Sequence, residues 1–570
     1  MPQLKNQLTQ LVADAAESVA PEVRLPIELN RPKLAQHGDW SCSAALQLAK
    51  SLSRNPGEIA RILLDAIPAA EFLEKAEIAG AGFINFFLTS EARHEVVREI
   101  HEAGQDYGRS ELGRGKRVLL EFVSANPTGP LHVGHGRSAA YGASLANVLD
   151  AAGYQVAREY YVNDAGRQMD ILALSVWLRY LHLIGDPVSF PANCYQGGYV
   201  TAMARQIQEL HGTRYHRNYD PGAPLADPEA ELDRLIVHAK ESLGDDYAYI
   251  HDFALTEQLG DCRNDLAEFG VHFDCWFSEA SLHASGAVAR ALQKLAKSGN
   301  VYEQDGALWF RASRYGDEKD RVVRRENAEY TYFASDIAYH ANKFERGFDR
   351  VIDIWGADHH GYIGRLRGAI SALEYRPEKF AVALVQFAVL YRRGKKVSMS
   401  TRSGEFVTLR ELRQEVGNDA ARFFYVMRKS DQHLDFDLDL AKSQSNDNPV
   451  YYVQYAHARI CSVLKEWGGD ARDLGSADLS PLKLPQEFSV LRALEDYPEA
   501  VEAAAKDLSP HVIAFYLKDL AAHFHSYYNA TRFLTGDSTI AAARLALVAA
   551  TGKVLKNGLA LLGVSAPETM

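Results

Sequence analysis

The sequence has few cysteines, and they form no recognisable pattern. Five cysteines are scattered over 570 residues without a Cys-x-x-Cys pair, namely Cys42, Cys194, Cys262, Cys275 and Cys461. An odd and dispersed set predicts neither a disulfide framework nor a cysteine-based zinc site. We therefore expect reduced thiols and a fold that depends on its hydrophobic core.

Long apolar runs and targeting signals are also missing. No stretch approaches the roughly 18 consecutive apolar residues that a membrane-spanning helix needs. The first six residues, MPQLKN, lack both the apolar centre of a secretion signal and the arginine-rich pattern of a transit peptide. These absences predict a cytoplasmic protein without membrane contact. The net charge of −12 argues against indiscriminate nucleic-acid binding, although a locally basic groove stays open.

The patterns that are present divide the chain into three parts. Residues 1–112 alternate helical and strand-like segments and predict an independent α+β domain, for which a purely stabilising role is one interpretation. Residues 113–440 predict an α/β domain with a doubly wound parallel sheet and an insertion at about 187–300. Within that insertion, residues 187–225 have the composition of irregular structure. Residues 441–570 predict an all-α helical bundle.

The first strand of the predicted sheet leads into a loop that could bind phosphate. Residues 118–123 are an apolar strand, a turn-rich loop follows, and small residues then recur at helical spacing. The start of a helix offers unpaired N–H groups and a positive dipole end, which favour an anion. Gly134 and Gly136 would let a nucleotide approach closely, and His132 and His135 can donate hydrogen bonds to phosphate. Taken alone, the motif is equally open to a structural role.

A second strand of the sheet ends in polar residues. Residues 351–356 are apolar, and Gly356, Asp358, His359 and His360 stand at the end of the run. Ligands of open α/β sheets sit at the carboxyl ends of the strands, so this end is a candidate site. A metal site is disfavoured because nothing else in the sequence completes a ligand set.

Three other stretches carry side chains suited to binding. Tyr332 and Asp336 lie four residues apart on a predicted helix and would share one face, as functional residues or as an ordinary pair. Residues 392–404, RRGKKVSMSTRSG, are basic and rich in hydroxyl groups, which suits either a phosphate-binding loop or a surface turn. Residues 523–529, HFHSYYN, could stack on single-stranded RNA or form a buried aromatic seam.

Together these motifs resemble one enzyme family over nearly the whole chain. Residues 126–135, NPTGPLHVGH, look like the His-Ile-Gly-His signature of class I aminoacyl-tRNA synthetases. Residues 398–402, SMSTR, stand where that class carries Lys-Met-Ser-Lys-Ser. The combination of Glu121 and Asn126 with residues 332–338, 356–360 and 448–452 is similar to bacterial arginyl-tRNA synthetases in particular. Gly38-Asp39, residues 47–49 and residues 82–85 match the added N-terminal domain of that family.

The resemblance implies a fold, a reaction and a set of partners. A Rossmann-type catalytic domain would lie between an N-terminal domain that touches the tRNA elbow and a C-terminal anticodon-binding domain. The enzyme would form arginyl-adenylate and pyrophosphate from ATP and L-arginine, and would then transfer the arginyl group to the terminal adenosine of tRNA(Arg). Mg²⁺ would accompany ATP, and no tightly bound protein metal is expected. The sequence does not reveal the oligomeric state, for which a monomer is the default expectation.

The resemblance also implies roles for single residues. A guanidinium group carries a planar fork of donors that carboxylates can receive. Arginine would be bound through its guanidinium by Glu279, Tyr332 and Asp336, and through its α-amino end by Glu121, Asn126 and His359. ATP would be bound by His132, Gly134, His135, Gly136, Gly356, Asp358, Met399 and Ser400. Since the carboxylate of arginine is itself the nucleophile, catalysis would rest on positioning and charge stabilisation.

The chain departs from the family pattern at the second signature. Ser398 and Thr401 replace both lysines, and the nearby cations that could substitute in catalysis are Lys395, Lys396 and Arg402. We hypothesise that this weak supply of cations makes adenylate formation depend on bound tRNA.

Two other classes of protein stay open at this point. One is a non-catalytic, synthetase-derived RNA-binding or regulatory protein, which the intact His132, Gly134 and His135 disfavour. The other is a class I synthetase for a different amino acid, which the paired acids Glu279 and Asp336 disfavour.

Overall fold

The N-terminal part packs helices on a small antiparallel sheet. The computed structural model describes residues 3–219, 222, 224–397 and 407–570. Its first elements are α1 (Gln3–Val19), β1 (Leu29–Asn30), β2 (Trp40–Cys42), α2 (Ala44–Leu52), α3 (Pro56–Ala66), β3 (Leu73–Ala79), β4 (Phe83–Leu88) and α4 (Ser90–Ala103). The strands run in the order β1-β2-β4-β3, all antiparallel. This part has a hydrophobic core of its own, to which Leu8, Trp40 and Leu63 belong.

A five-stranded parallel sheet forms the centre of the molecule. The chain continues through β5 (Arg117–Glu121), α5 (Val133–Ala151), β6 (Gln155–Val162), α6 (Arg167–Leu183), α7 (Gly198–His211), α8 (Pro228–Leu243), α9 (Asp246–Glu268), β7 (Cys275–Ser278), α10 (Glu279–Ala284), α11 (Ala287–Lys297), β8 (Val301–Gln304), β9 (Ala307–Phe310), β10 (Arg321–Arg324), α12 (Tyr332–Glu345), β11 (Arg350–Gly356), α13 (Ile363–Ala372) and β12 (Phe380–Val385). The strand order is β12-β11-β5-β6-β7, and every neighbouring pair is parallel. The predicted fold class is therefore confirmed.

The insertion is more regular than its composition suggested. Residues 198–211 form helix α7, so their assignment to irregular structure was wrong. Val200, Met203, Ala204 and Ile207 are buried at helical spacing, a pattern that flanking Pro, Gly and Tyr residues obscured. Helices α6 to α9 share one hydrophobic core. Strand β7 lies within the range ascribed to the insertion but belongs to the parallel sheet.

Strands β8, β9 and β10 form a small antiparallel sheet, and another small sheet follows the central one. It contains β13 (Ala388–Arg392), β14 (Lys395–Lys396) and β15 (Leu434–Asp437), in the order β14-β13-β15. Strands β13 and β14 form an antiparallel hairpin, and β13 and β15 are parallel. Helices α14 (Leu409–Val416), α15 (Asn418–Val426) and α16 (Leu438–Lys442) complete this region.

The C-terminal part is a helical bundle, as predicted. Its helices are α17 (Pro449–Trp467), α18 (Pro485–Glu495), α19 (Tyr497–Lys506), α20 (His511–Ala530) and α21 (Ser538–Leu561). Helices α18 and α19 follow one another directly, and Pro498 stands in the first turn of α19. Among the described residues, α21 alone is long and apolar enough to cross a membrane, but most of it is buried inside the bundle.

Candidate active site

A cavity of about 280 Å³ opens at the carboxyl ends of β5 and β11. Strands β5, β6 and β11, helix α12 and the turn after β11 supply its walls. Three carboxylates line it, namely Glu121, Asp336 and Asp353. The cavity therefore suits a small cationic ligand, and it lies where an open α/β sheet places its ligands.

A row of acidic side chains crosses the sheet beside this cavity. Asp353, Glu121 and Glu159 occupy equivalent register positions on β11, β5 and β6, so their side chains lie on one face. Helix α12 covers that face with a basic residue at every third position, His340, Lys343 and Arg346. The sheet and the helix are thus joined by buried ion pairs.

Lys343 is the central cation of this row. Its ammonium lies 2.5 Å from Glu121 Oε2 and 2.7 Å from Asp353 Oδ1, and its side chain is fully buried. Burial alone would lower the pKa of Lys343, but the carboxylates of Asp353 and Glu121 outweigh it and the pKa is raised. Burial raises the pKa of the Glu121 carboxyl against the opposing effect of Lys343. Lys343 therefore stays charged and stabilises the ionised form of Glu121.

The backbone is strained where β5 enters the cavity. Val123 and Ser124 adopt φ values of 69° and 42°, which lie in the left-handed region. A β-branched residue such as valine rarely adopts this conformation. Ser124 stabilises this turn, since its Oγ accepts the N–H of Tyr161 at 3.1 Å and donates to Glu121 Oε1 at 2.8 Å. The strained turn thereby holds the second oxygen of Glu121.

Asp336 forms the opposite wall of the cavity. The Tyr362 hydroxyl donates to its carboxylate, and burial raises the pKa of the Asp336 carboxyl. Glu279, a predicted partner of the same ligand, is buried behind Tyr161 rather than among the residues that line the cavity. Burial, with Asp336 nearby, raises the pKa of Glu279 to about 7. The two acids form a negatively charged end whose charge varies near neutral pH.

Of the other three residues predicted to bind arginine, only His359 lines the cavity, whereas Asn126 and Tyr332 are exposed and do not line it. The side-chain amides of Asn126 and Asn163 are 3.0 Å apart, and Asn163 donates to Glu279 at 2.7 Å in the amide orientation that satisfies its partners. Tyr332 is the first residue of helix α12, and its side chain is 63% exposed. Tyr332 and Asp336 were expected to act together on one face of the helix, but the hydroxyl that donates to Asp336 is that of Tyr362. His359 lines the cavity and pairs with Asp358 at 3.3 Å.

His132 and His135 cap helix α5. The ring Nδ1 of His132 accepts the N–H of Gly134 at 3.1 Å, and the ring Nδ1 of His135 accepts the N–H of His132 at 3.3 Å. The two rings stack with centroids 3.7 Å apart. Burial lowers the pKa of both, that of His135 to about 3. Both rings are therefore neutral, and with Nδ1 accepting they carry the proton on Nε2.

Because of this cap, the start of α5 does not offer the unpaired N–H groups that were expected to bind phosphate. The N–H groups of His135 and Gly136 donate to His132 O, and Val133 N–H donates to Val407 O. The first turn is therefore satisfied within the protein, and the imidazole Nε2–H groups are the donors suited to phosphate. A Cβ on Gly136 would collide with Leu409 and Tyr425, so glycine is required here by helix packing.

The second signature, residues 398–402, lies outside the described residues. The nearby Lys395 and Lys396 form strand β14 and are exposed. Val397 N–H donates to Leu390 O of β13, and Leu409 N–H donates to Leu131 O just before α5. At the same end of the sheet, a side chain on Gly356 would collide with Asp358.

The sequence interpretation missed the buried cations of α12 and the strained turn. Asp336, His340 and Lys343 recur at spacings of four and three along an otherwise apolar helix face. That polar stripe was a usable signal, because buried charges are found only with partners. Among the described residues, no group of three Asp, Glu, His or Cys side chains is arranged to hold a metal ion.

Three family models match the chain, in the order of its three parts. The arginyl tRNA synthetase N-terminal domain matches residues 3–88, and the class I (R) tRNA synthetase catalytic domain matches residues 97–182 and 267–444. The DALR anticodon binding domain matches residues 453–570.

Curated relatives and a solved structure extend this likeness over the full length. The chain is 64% identical to an arginine–tRNA ligase from Nitrosospira multiformis over 575 residues, covering 100% of this chain and 99% of the relative. It is 63% identical to an arginine–tRNA ligase from an Azoarcus species over 580 residues, covering 99% of each. The arginyl-tRNA synthetase structure from Thermus thermophilus matches with a TM-score of 0.77 at 25% identity, covering 100% of both chains.

Proposed function

Because the chain belongs to the arginyl-tRNA synthetase family of class I, we propose that its cavity binds L-arginine between Glu121 and Asp336 for attachment to tRNA(Arg). The observation that carries this assignment is a cavity of about 280 Å³ with a carboxylate from the sheet, Glu121, and another from helix α12, Asp336, in its walls. Arginine carries a cationic group at each end, so one wall can receive the guanidinium and the other the α-ammonium group.

The guanidinium group is assigned to the wall formed by Asp336. Glu279 lies close to Asp336 and adds negative charge, and Tyr332 on the same helix is assigned to the guanidinium as well. The α-ammonium group is assigned to Glu121 and His359, which line the cavity, and to Asn126, which contacts Asn163. Lysine lacks the planar fork of donors, so it would bind much more weakly at the Asp336 wall.

The first step joins arginine to ATP. A carboxylate oxygen of arginine attacks the α-phosphorus, the bond to the bridging oxygen breaks, and pyrophosphate leaves as arginyl-adenylate forms. His132 and His135 donate through Nε2–H to phosphate oxygens, while Gly134 and Gly136 shape the start of α5. Lys395, Lys396 and Arg402 supply positive charge, and Gly356, Asp358, Met399 and Ser400 border the nucleotide.

Magnesium enters as part of the substrate. The described residues beside α5 offer imidazole donors rather than a group of carboxylates, so the ATP phosphates and water would hold the Mg²⁺ ion. In the second step, a ribose hydroxyl of the terminal adenosine attacks the arginyl carbonyl carbon, and AMP leaves.

The three parts of the chain are assigned separate tasks. Residues 1–112 would contact the tRNA elbow, residues 113–440 with their insertion at about 187–300 would carry the reaction, and residues 441–570 would bind the anticodon. In the 523–529 segment, Phe524, His525 and Tyr527 are buried, while His523 and Asn529 face solvent. This segment thus packs into the bundle with its aromatic side chains, and its polar side chains form an exposed face that is available to RNA. We assign the chain to the cytoplasm as a monomer.

An aminoacylation assay across amino acids with homologous tRNA tests this assignment. We expect arginine alone to be attached, and Asp336→Asn to reduce kcat/KM for arginine by roughly a hundredfold through loss of a charged hydrogen bond. Attachment of another amino acid would reject the arginine assignment, and no attachment at all would favour the non-catalytic alternative. Pyrophosphate exchange with and without tRNA tests the tRNA requirement, which full exchange without tRNA would reject.

A further inference from the structure

We propose that Lys343 is a positioning residue for amino-acid recognition, which holds the Glu121 carboxylate in place to receive the α-ammonium group of arginine. The proposal rests on the proposed function, in which Glu121 binds that group. Lys343 lies beneath the cavity and does not line it, so it would act through Glu121 rather than on the substrate.

The first support comes from the hydrogen-bond partners and the exposure of the three carboxylates in the row. Glu159 is fully buried, is held by the two terminal nitrogens of the Arg346 guanidinium at 2.6 and 2.8 Å, and accepts the Tyr339 hydroxyl. Asp353 lines the cavity but is fully buried, and its two oxygens are taken by Lys343 and His340. Glu121 also lines the cavity and, unlike the other two, remains 7% exposed. It is therefore the member of the row placed to meet a ligand.

The second support is the charge balance of the network. His340 lies between two acceptors, with Nδ1 2.8 Å from the carbonyl oxygen of Asp336 and Nε2 2.8 Å from Asp353 Oδ2. The imidazolium form of His340 satisfies both contacts, because each ring nitrogen then donates. The charges of His340 and Lys343 then balance those of Asp353 and Glu121. A neutral network can keep Glu121 ionised in a buried place.

The third support is the direction in which Glu121 is held. Lys343 binds Oε2 from below the cavity, and the Ser124 hydroxyl binds Oε1 from the strained turn. Two contacts on different oxygens fix the plane of the carboxylate, while each oxygen keeps a further lone pair for a ligand. Without Lys343, burial would favour protonated Glu121, which attracts an ammonium group far less.

The test compares L-arginine with its analogue that lacks the α-amino group. In aminoacylation assays of the full-length enzyme with tRNA, the KM for arginine and the inhibition constant of the analogue give a discrimination ratio for the α-amino group. Lys343→Met alone would leave Glu121 and Asp353 with His340 as their only cation. The variant to be tested is therefore Lys343→Met with Asp353→Asn, which removes one positive and one negative charge. We expect this ratio to fall by roughly tenfold or more, as loss of a charged hydrogen bond predicts.

The control is Arg346→Met with Glu159→Gln. It removes the neighbouring buried ion pair of the same helix, and Glu159 does not line the cavity. We expect the control to lower thermal stability while the discrimination ratio stays unchanged. A fall of the ratio in the control equal to that in the Lys343 variant would overturn the proposal, because general loosening of α12 would then explain it.

Glu121→Gln separates this inference from the proposed function. A loss of discrimination in Glu121→Gln with none in the Lys343 variant would reject the role of Lys343 and leave that of Glu121 intact. Unchanged discrimination in Glu121→Gln would reject the assignment of the α-amino group to Glu121, and the inference with it.

Discussion

Glu279 is the residue at which the chemistry of the site depends most directly on pH. Burial raises the pKa of this carboxyl to about 7, with a further contribution from Asp336, so it changes charge near neutrality. The ionised form predominates above that pH, and the guanidinium group of arginine stays cationic throughout. Arginine should therefore bind better as the pH rises.

We predict that kcat/KM for arginine increases by roughly tenfold between about pH 6 and pH 8, because that ratio follows the ionisation of the free enzyme. Glu279→Gln should lower kcat/KM and remove the dependence in this range. Glu159→Gln serves as the control, since Glu159 is buried and bonded to Arg346 away from the cavity. A pH profile that survives in Glu279→Gln would assign the titration to another group.

Single residues also show where sequence reasoning stops. The sequence predicted the acidic and aromatic residues next to the signatures, because each of them belongs to a motif or follows the end of a predicted strand. Lys343 and Asp353 were not, because a buried ion pair depends on which helix covers which strand, and they lie ten residues apart with no motif between them. The positive φ values of Val123 and Ser124 had no compositional signal, since neither residue is glycine or asparagine.

At the scale of elements, the hairpin of β13 and β14 carries the nearest described substitutes for the missing signature lysines. Lys395 and Lys396 pair with Arg392 and Tyr391, and both lysines are exposed beside the chain that returns to α5. We predict that Lys396→Ala slows pyrophosphate exchange by roughly tenfold or more while the KM for arginine changes little, because its charge would act on phosphate.

Lys297→Ala is a suitable control for that hairpin variant, because Lys297 is an exposed lysine at the end of α11. It should leave both kinetic constants unchanged. Equal effects of Lys396→Ala on the exchange rate and on arginine binding would argue against a role at the phosphates.

Helix α7 connects the insertion with the loop that leads to α5. The Tyr199 hydroxyl donates to Thr128 O at 2.6 Å, and Thr128 N–H donates to Asn126 O at 2.8 Å. A side chain on Gly129 would place its Cβ 3.1 Å from the same hydroxyl, so glycine makes room for this contact. The insertion thereby supports the residues that precede His132.

We predict that Tyr199→Phe lowers kcat/KM for arginine by roughly threefold to tenfold, because the loop loses one neutral hydrogen bond worth about 1 kcal/mol. Tyr249→Phe is the matched control. Its hydroxyl contacts His211 at 2.6 Å inside the insertion, so its loss should affect stability rather than kinetics. Steady-state kinetics and thermal unfolding of both variants decide the question, and equal kinetic effects would refute the link.

Elements were more predictable than residues, but unevenly. The strands β5 and β11 followed from apolar runs bounded by turn residues. Helix α7 did not, because Pro, Gly and Tyr residues flank it and obscure its pattern, and strand β7 did not, because it spans only Cys275–Ser278. Such a short strand forms because a neighbouring strand is available for pairing, and a local sequence pattern does not reveal that neighbour.

At the scale of the whole molecule, ion pairs join the N-terminal part to the C-terminal bundle. Arg31 contacts Glu495 at 2.5 Å and Asp496 at 2.9 Å, and its guanidinium carbon lies 3.6 Å from the centre of the Trp40 ring. Lys5 pairs with Glu499 on the same side of the bundle. Domains that contact different regions of one tRNA would need a fixed separation, and these contacts can provide it.

We predict that Arg31→Met destabilises the docked N-terminal part by on the order of 3 kcal/mol, because it leaves Glu495 buried without its cation. Arg54→Met is the control in the same domain, since Arg54 meets Glu58 at 3.7 Å with both side chains more than half exposed. Such a surface pair should contribute less than about 1 kcal/mol. Calorimetric unfolding should therefore show an earlier or separate transition for Arg31→Met alone, together with a higher KM for tRNA and an unchanged KM for arginine. A single transition at the wild-type temperature would show that the apolar contacts, rather than Arg31, hold the N-terminal part in place.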